Sequence, residues 1–559
     1  MTLSALLIGN ESLTAECGNL WLDRGHRIAA VVTREARVAE WAAGRGLPVL
    51  APGAGLPART ADLSVDWVLS IANLSLVPDA VLARATQGGV NFHDGPLPGY
   101  AGLNAPVWAL LAGEPRHAIT WHLMTAGIDE GEVLATRDID IAPDDSAFTL
   151  NARCFDAAVD SFPEVITALA AGGHPRRPQG TGPRHVYRRA DRPAAAARLD
   201  FNQPAEAVAR MVRALDHSGY RNPLSVPKID AASRILAVGM AEAEPGHAAP
   251  GTVIEATQAG LVVACANGAV RLAGLRAMDG TAICPSTLGI THLAPLTTDE
   301  AARLTRALAP VAEAEVQTRA LLLSADPIPL GSPAAAKADW QSLSLAVSAN
   351  AATIALALLR ATGRSMGDVA FATGPSAAPG YVLPWAPLRL SASGPAAQAS
   401  ATVTRAMDTA RAATGIAADL ALREPGLSTL TPPAIALSDS DTPLDGTAVT
   451  LFLGPNPRLW HDATRLPQAE AQALADRITR LVTTITEAGP DADLTTLSAL
   501  TSTETARLSG ALAATARDYD RSLTIPAAML RTATAKPDHT AVIAGTARLS
   551  YADLAKRAA

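Results

Sequence analysis

Short apolar runs alternate with amphipathic stretches over the first 75 residues. Ala5-Leu6-Leu7-Ile8-Gly9 reads as a buried strand, Leu13 to Arg24 carries apolar residues at helical spacing, and Arg27 to Val32 reads as the next strand. Trp67 to Ala72 and Gly89 to His93 continue the series. This alternation predicts an α/β unit with a parallel sheet, helices on both faces, and ligands beyond the carboxyl ends of the strands. From His174 to Pro193 the pattern turns polar, rich in Pro, Gly and Arg, and predicts a solvated linker. A helix is then expected over Pro204 to Leu215. It is followed by short apolar segments at 251–254, 260–264 and 269–272, the mark of a small β-rich domain.

Residues 310–515 alternate expected helices (341–362, 397–414, 467–487) with strands at 369–372 and 448–453, an α+β unit with no evident cluster of ionisable residues. A last segment starts at Ile525, and the chain is expected to stop within a further domain, partway through a helix beginning near Tyr551. At 559 residues, and roughly 150 per domain, three or four units are expected. No apolar run approaches the ~20 residues needed to cross a bilayer, and Met1-Thr2-Leu3-Ser4-Ala5 has no basic leader, so the expectation is a cytoplasmic protein with no membrane partner.

Charge changes the picture more than composition does. The net charge of −7 falls entirely in residues 1–300, with 24 basic and 31 acidic side chains, while 301–559 balances at 22 of each. An acidic front half argues against a nucleic-acid partner. Cys17, Cys154, Cys265 and Cys284 lie far apart and form neither a disulfide framework nor a metal motif; each reads as a small buried hydrophobe.

The candidate chemistry lies in Gly89-Val90-Asn91-Phe92-His93-Asp94-Gly95-Pro96-Leu97-Pro98-Gly99-Tyr100. Strand alternation puts Asn91 and His93 on one side, and Asp94-Gly95-Pro96 turns the chain immediately after them. A second loop, Gly127-Ile128-Asp129-Glu130-Gly131, brackets an acid between glycines. His122 reads as a packed or edge histidine, and His26, His117, His174, His185, His217, His247 and His292 carry no assigned role.

Asn91, His93, Leu97-Pro98 and Asp129 match, in order and spacing, the signature of the formyltransferases that use 10-formyltetrahydrofolate, a family of methionyl-tRNA, glycinamide-ribonucleotide and amino-sugar formyltransferases. Leu199 to Glu206 and Ala249 to Val253 resemble the C-terminal subdomain of its methionyl-tRNA branch. The resemblance implies a Rossmann-like domain over 1–190 and a small OB-like β-barrel over 195–305. In it Asn91 stabilises the oxyanion, a contact worth about 2.7–4 kcal/mol. His93 stabilises the same oxygen or accepts the amine proton, and Asp129 orients His93. It implies a pterin pocket lined mainly by backbone at Ile71, Ala72, Asn73 and Leu74, with Leu97, Gly127, Ile128 and Gly131. Asp94, Tyr100 and Asn104 are candidate acceptor contacts. The tRNA branch usually has Ser after the His and an arginine-bearing stretch where this chain has Tyr100 to Ala105; the Asp94 carboxylate suits an ammonium acceptor or a capped turn equally.

Residues 330–510 resemble the C-terminal lobe of a nonribosomal peptide synthetase condensation domain, through Ile354 to Gly363, Gly367 to Gly374, Val382 to Arg389 and Leu466 to Ile485. The HHxxxDG motif such domains need is missing, since no two histidines are adjacent, which implies a silent spacer or docking platform. Pro537 to Val542 with Leu549-Ser550-Tyr551-Ala552-Asp553-Leu554 resembles the opening of an adenylation domain over 520–559. Together these imply formylation of an aminoacyl thioester on the phosphopantetheine of a carrier protein, with the adenylation domain as neighbour. A free amine, an N-hydroxylated amino acid or an amino sugar stays open as acceptor; a sugar nucleotide would need the Arg176 to Arg192 stretch for its phosphates. A noncatalytic docking module also stays open.

Overall fold

The computed structural model describes residues 1–172, 177–231, 234–333 and 337–559, so His174 and Arg176 lie outside the described residues. The chain divides into Met1–Ala499 and Leu500–Ala559. In the first unit a seven-stranded sheet is built from β1 (Ser4–Ile8), β2 (Arg27–Val32), β3 (Val49–Leu50), β4 (Val65–Ser70), β5 (Ala85–His93), β6 (Arg116–Leu123) and β7 (Val133–Asp140), in the order β3-β2-β1-β4-β5-β6-β7. The first five strands are parallel, but β6 runs antiparallel to β5 and to β7. The sheet is therefore mostly parallel, in keeping with the parallel-rich sheet expected: β6 and β7 are joined by a short loop, which only an antiparallel pair permits. Strand order reverses between β1 and β4, creating the crevice in which such sheets take ligands.

Residues that alternate along the central strands go to opposite cores. Ala5, Leu7 and Leu69 pack with Trp21, Trp121 and Phe162, beneath helices Ser12–Asp23 and Ala147–Ala170, while Leu6, Ile8 and Val68 pack with Leu56 and Val81 on the other face. Burial of each such side chain contributes about 1.5–3 kcal/mol.

The second element group begins with helix Ala205–Ala214. Where a small barrel was expected, the described residues form two antiparallel sheets around one shared core, one of three strands (Lys228–Ala231, Arg234–Ala237, Arg276–Ala277) and one of four (Met240–Glu244, Ala269–Ala273, Leu261–Ala264, Val253–Ala256). The chain passes between them at Gly239 and Gly274, which lie against each other. A side chain on Gly239 would meet the Gly274 backbone at 3.2 Å, and Gly274 has φ +64°. Two glycines at one corner let both strands bend there, where the Gly239 N–H still donates to the Ala273 carbonyl at 3.1 Å.

Helix Thr298–Leu323 leads to a six-stranded mixed sheet, with helices Ala351–Ala361, Ala396–Ala413 and Gln468–Ala488 packed in its main core. The helix expected over 341–362 is a strand, Trp340–Ser344, followed by a helix capped by Asn350, whose side chain accepts from the Thr353 N–H. Trp340-Gln341-Ser342-Leu343-Ser344 pairs with Arg458–Asp462, and edge pairing outweighs a weak helical pattern.

An ionic cluster, unexpected from the sequence, is buried here. Lys228 Nζ donates to Asp419 Oδ2 at 2.6 Å, Arg423 Nε donates to Asp419 Oδ1 at 2.9 Å, and Arg423 also pairs with Glu315, which Arg192 approaches at 3.2 Å. Only Asp419 and Arg423, at i and i+4, are close in sequence; Lys228 lies 191 residues before Asp419 and Glu315 lies 108 before Arg423, so no local pattern brings the cluster together. Cys284 is also a correction: it is exposed, unlike the other three cysteines.

In Leu500–Ala559, helix Ile525–Ala535 precedes a hairpin (Thr540–Ala544, Ala547–Ser550) and helix Tyr551–Ala558, capped by the Ser550 hydroxyl, which accepts from the Asp553 N–H. Among the described residues no helix is long and apolar enough to cross a membrane.

Candidate active site

The site is built where β5 ends. Phe92 and Trp121 are partners in the β5–β6 register, with ring centroids 5.2 Å apart. Trp121 in turn stacks on Phe162 at 4.8 Å and donates its indole N–H to Ser161 Oγ at 2.9 Å. These aromatic contacts fix the register, and alternation then turns Asn91 and His93 to the opposite face. The same register sets Asn91 opposite His122 and His93 opposite Thr120. Behind His93, the turn is pinned by two side chains of β6: the Thr120 hydroxyl donates to the Gly95 carbonyl at 2.8 Å, and His117 Nε2 donates to the Asp94 carbonyl at 2.7 Å. The Leu97–Pro98 peptide is cis.

The β6–β7 loop delivers Asp129. Gly131 is required there, because a Cβ would lie 1.7 Å from the Leu123 carbonyl oxygen. Asp129 has φ +49°, in the left-handed region, and its Oδ2 accepts the Gly102 N–H at 2.8 Å. Its Oδ1 lies 3.3 Å from His122 Nε2, and its Oδ2 lies 3.6 Å from His93 Nδ1. Asp94 Oδ1 is 3.8 Å from the same His93 nitrogen.

Hydrogen-bond chemistry orients the rings. His93 Nε2 is 2.6 Å from the Tyr100 carbonyl, which can only accept, so the ring donates there and turns Nδ1 to the two carboxylates. His122 Nδ1 donates to the Leu123 carbonyl at 2.8 Å, and its Nε2 lies 3.1 Å from Asn91 Nδ2, which donates to it when the ring is neutral. That leaves Asn91 a second N–H.

The two carboxyl groups are pushed in opposite directions. Burial pushes Asp94 above the usual carboxylate range, with the Asp129 charge adding to the rise against the pull of His93 and His117. Burial also acts upward on Asp129, but His122 Nε2, which donates to it when that ring is charged and so no longer takes the Asn91 N–H, the field of His93 and the Gly102 N–H outweigh it and hold the group at about 2. Burial lowers His117. A carboxylate held charged beside one held toward its proton-bearing form is an arrangement suited to moving a proton.

Asn91, His93, Asp94, Asp129 and the Tyr100 backbone are therefore brought together. Asn104 heads helix Ala105–Ala112 with φ +61°, and the Tyr100 hydroxyl donates away to Glu114 at 2.9 Å. Asp129 was expected to hold His93, yet its nearer histidine is His122, and both His93 ring nitrogens face protein groups.

The 71–74 loop lies at the β1–β4 reversal, where a side chain on Gly9 would strike the Ile71 carbonyl at 2.0 Å. The Ile71 backbone is already engaged: its N–H goes to Ile8 and its carbonyl accepts from Thr14 Oγ1 at 2.9 Å, while its side chain is buried. Ala72 adopts φ +50°, Asn73 Nδ2 donates to the Ser75 carbonyl at 2.8 Å, and Leu74 and Ile128 are exposed apolar side chains. Leu97 and Gly127 lie in the turns after β5 and β6.

His122 and His117 are the functional-site residues that sequence reasoning missed. His122 is a buried member of the cluster, not a packing histidine, and the strand register opposite Asn91 was the only signal for it.

Two family models match the chain: "Formyl transferase" over residues 55–166 and "Formyl transferase, C-terminal domain" over 193–288. The methionyl-tRNA formyltransferase of Thiobacillus denitrificans is 36% identical over 262 residues, covering 45% of this chain and 80% of that protein. That of Stenotrophomonas maltophilia is 31% identical over 282 residues, covering 46% and 88%. Among solved structures, an N-formyltransferase from Helicobacter canadensis aligns at 14% identity and TM-score 0.40, over 49% of this chain and 100% of that one. The chain belongs to the formyltransferase family: it is an enzyme of formyl transfer with a Rossmann-like, mostly parallel sheet.

Proposed function

We propose that the chain carries the formyl group of 10-formyltetrahydrofolate to the amino group of an aminoacyl thioester on the phosphopantetheine arm of a carrier protein. The observation that carries this reading is the meeting of Asn91, His93, Asp94 and Asp129 at the carboxyl end of β5. The folate supplies the formyl carbon and departs as the leaving amine. Loop residues Ala72 and Asn73 at the β1–β4 crevice and exposed Leu74 and Ile128 suit a flat, partly apolar ring system. The free Asn91 N–H donates to the formyl oxygen as charge develops on it. His93, set between two carboxylates, places its ring beside that charge. The attacking amine surrenders its proton to the Asp94 carboxylate, which returns it to the leaving nitrogen, while Asp129 stays charged throughout.

Two carboxylates beside His93 and the acidic balance of residues 1–300 favour a small ammonium acceptor over a polyanion. In this reading, 1–190 and 195–305 form the transferase. The 330–510 sheet is a condensation-like lobe without its histidine pair, and 520–559 opens an adenylation domain. A second reading, transfer to methionyl-tRNA, is favoured by the relatives of that name. The test is transfer from 10-formyltetrahydrofolate to synthetic aminoacyl-pantetheine thioesters and, in parallel, to methionyl-tRNA. Formylated thioester without formylated tRNA supports the proposal; the reverse overturns its acceptor, and neither product overturns both readings.

A further inference from the structure

The polar segment expected to be a solvated linker is tied to every loop of the site. The Arg177 backbone exchanges hydrogen bonds with Val133, at 2.8 and 3.1 Å, just after the Asp129 loop. Gln179 Nε2 then donates to the carbonyls of Asp129 at 2.6 Å and Gly131 at 2.9 Å. Arg184 donates to the Ile128 carbonyl and lies 3.2 Å from Glu130 Oε1. Val186–Tyr187 pairs with Ala101–Gly102 as a parallel ladder, with the Ala101 N–H donating to His185 O and the Leu103 N–H to Tyr187 O. Arg189 donates to the Leu74 carbonyl at 2.6 Å.

We propose that 177–189 is a positioning strap for formyl transfer, in which Gln179 holds the Asp129 loop in its left-handed turn and so sets the Asp129 carboxylate against Gly102, His122 and His93. The chemistry suits a carboxamide in particular. One nitrogen with two hydrogens meets two carbonyls two residues apart, and it does so without adding charge beside Asp129. The strap also holds the other side of the same contact. Tyr100, whose carbonyl takes the His93 N–H, immediately precedes the ladder to Val186–Tyr187, and Gly102, whose N–H meets Asp129, is part of it. One segment thus fixes the distance between the loop that presents Asp129 and the turn that follows His93. Gln179 touches no reacting atom in this account and acts through Asp129.

The inference rests on Asp129 serving the transfer, so the test includes Asp129→Asn. In the full chain, Gln179→Glu keeps the side-chain shape but presents oxygens to two carbonyls, and Gln179→Ala removes the contact. Both are expected to lower kcat by about 100-fold, the scale of a 1 Å misplacement, with KM for the aminoacyl-pantetheine thioester unchanged. The residual activity should also change its pH profile. Once Asp129 drifts from the Gly102 N–H and His122, its charge no longer helps push Asp94 upward, and with His93 and His117 still beside Asp94 the acid limb that Asp94 sets moves to lower pH. Wild-type kcat and pH profile in both Gln179 variants, beside an inactive Asp129→Asn, would overturn the strap alone. Loss of activity in step with loss of folded protein, at an unchanged pH profile, would also overturn it. An active Asp129→Asn would instead overturn the site reading beneath it.

Discussion

Asn91 is positioned by a partner the sequence does not advertise. Its Nδ2 faces His122 Nε2 across the β5–β6 ladder, and His122 also touches Asp129, so one imidazole joins the proposed oxyanion donor to the carboxylate. Replacing Asn91 by Ala should lower kcat about 10²–10³-fold, the usual cost of one such donor. His122→Leu should lower it less, and the double variant should cost less than the sum of the two losses, because His122 acts in part through Asn91. A double-mutant cycle on kcat decides this; fully additive losses would separate the two residues. The opposed carboxyls give a pH prediction. Asp94 is pushed upward and must be ionised to accept the amine proton, so kcat/KM should fall as pH drops through its raised pKa. Asp94→Asn should abolish that limb, while Asp129, held at about 2, contributes none of it in the wild type. An identical acid limb in Asp94→Asn would remove Asp94 from the proton path.

At the level of elements, what was legible is what local patterns encode. Apolar runs located β1, β2 and β4 to within a residue or two, and period-two alternation put Asn91 and His93 on one face before any contact was known. The reversal of β6 was not legible, since a short loop between apolar segments does not disclose which strand each will pair with. The hydrogen bonds of residues 177–189 were not legible for the same reason: the segment lies exposed as expected, but the carbonyls its arginines and glutamine meet are placed only by folding. The cluster of Lys228, Asp419, Arg423 and Glu315 is the strongest case, four charges buried in one another's company across the sheet groups. Burial acts upward on Asp419, but Arg423 and Lys228 hold it far below the usual carboxylate range. Asp419→Ala leaves Lys228 and part of Arg423 uncompensated and should cost about 3–5 kcal/mol in urea unfolding at neutral pH. A loss below 1 kcal/mol, well short of this ~3–5 kcal/mol range, would mean that water reaches the cluster.

For the molecule as a whole, that cluster ties the lobe built on the six-stranded mixed sheet to the β-rich subdomain. Asp419 also accepts from the Ser225 hydroxyl at 3.0 Å and the Val226 N–H at 3.1 Å, and Arg423 meets the Asn222 carbonyl at 3.3 Å. The lobe thus completes hydrogen bonds of the β-rich transferase subdomain instead of hanging from a tether. A fragment ending near residue 325 would bury Lys228 and Glu315 without Asp419 and Arg423, and it should unfold at markedly lower urea than the full chain. The unequal charge of the sequence has a matching consequence: the acidic half is the half that carries the site, which is where a cationic amine would be drawn.

The most direct measurement is single-turnover mass spectrometry of an aminoacyl-pantetheine thioester mixed with 10-formyltetrahydrofolate and either the wild-type chain or Asn91→Ala. The account predicts a thioester bearing one added formyl group with the wild type and almost none with Asn91→Ala. Equal formylation by both proteins, or an unmodified thioester beside formylated methionyl-tRNA, would contradict it.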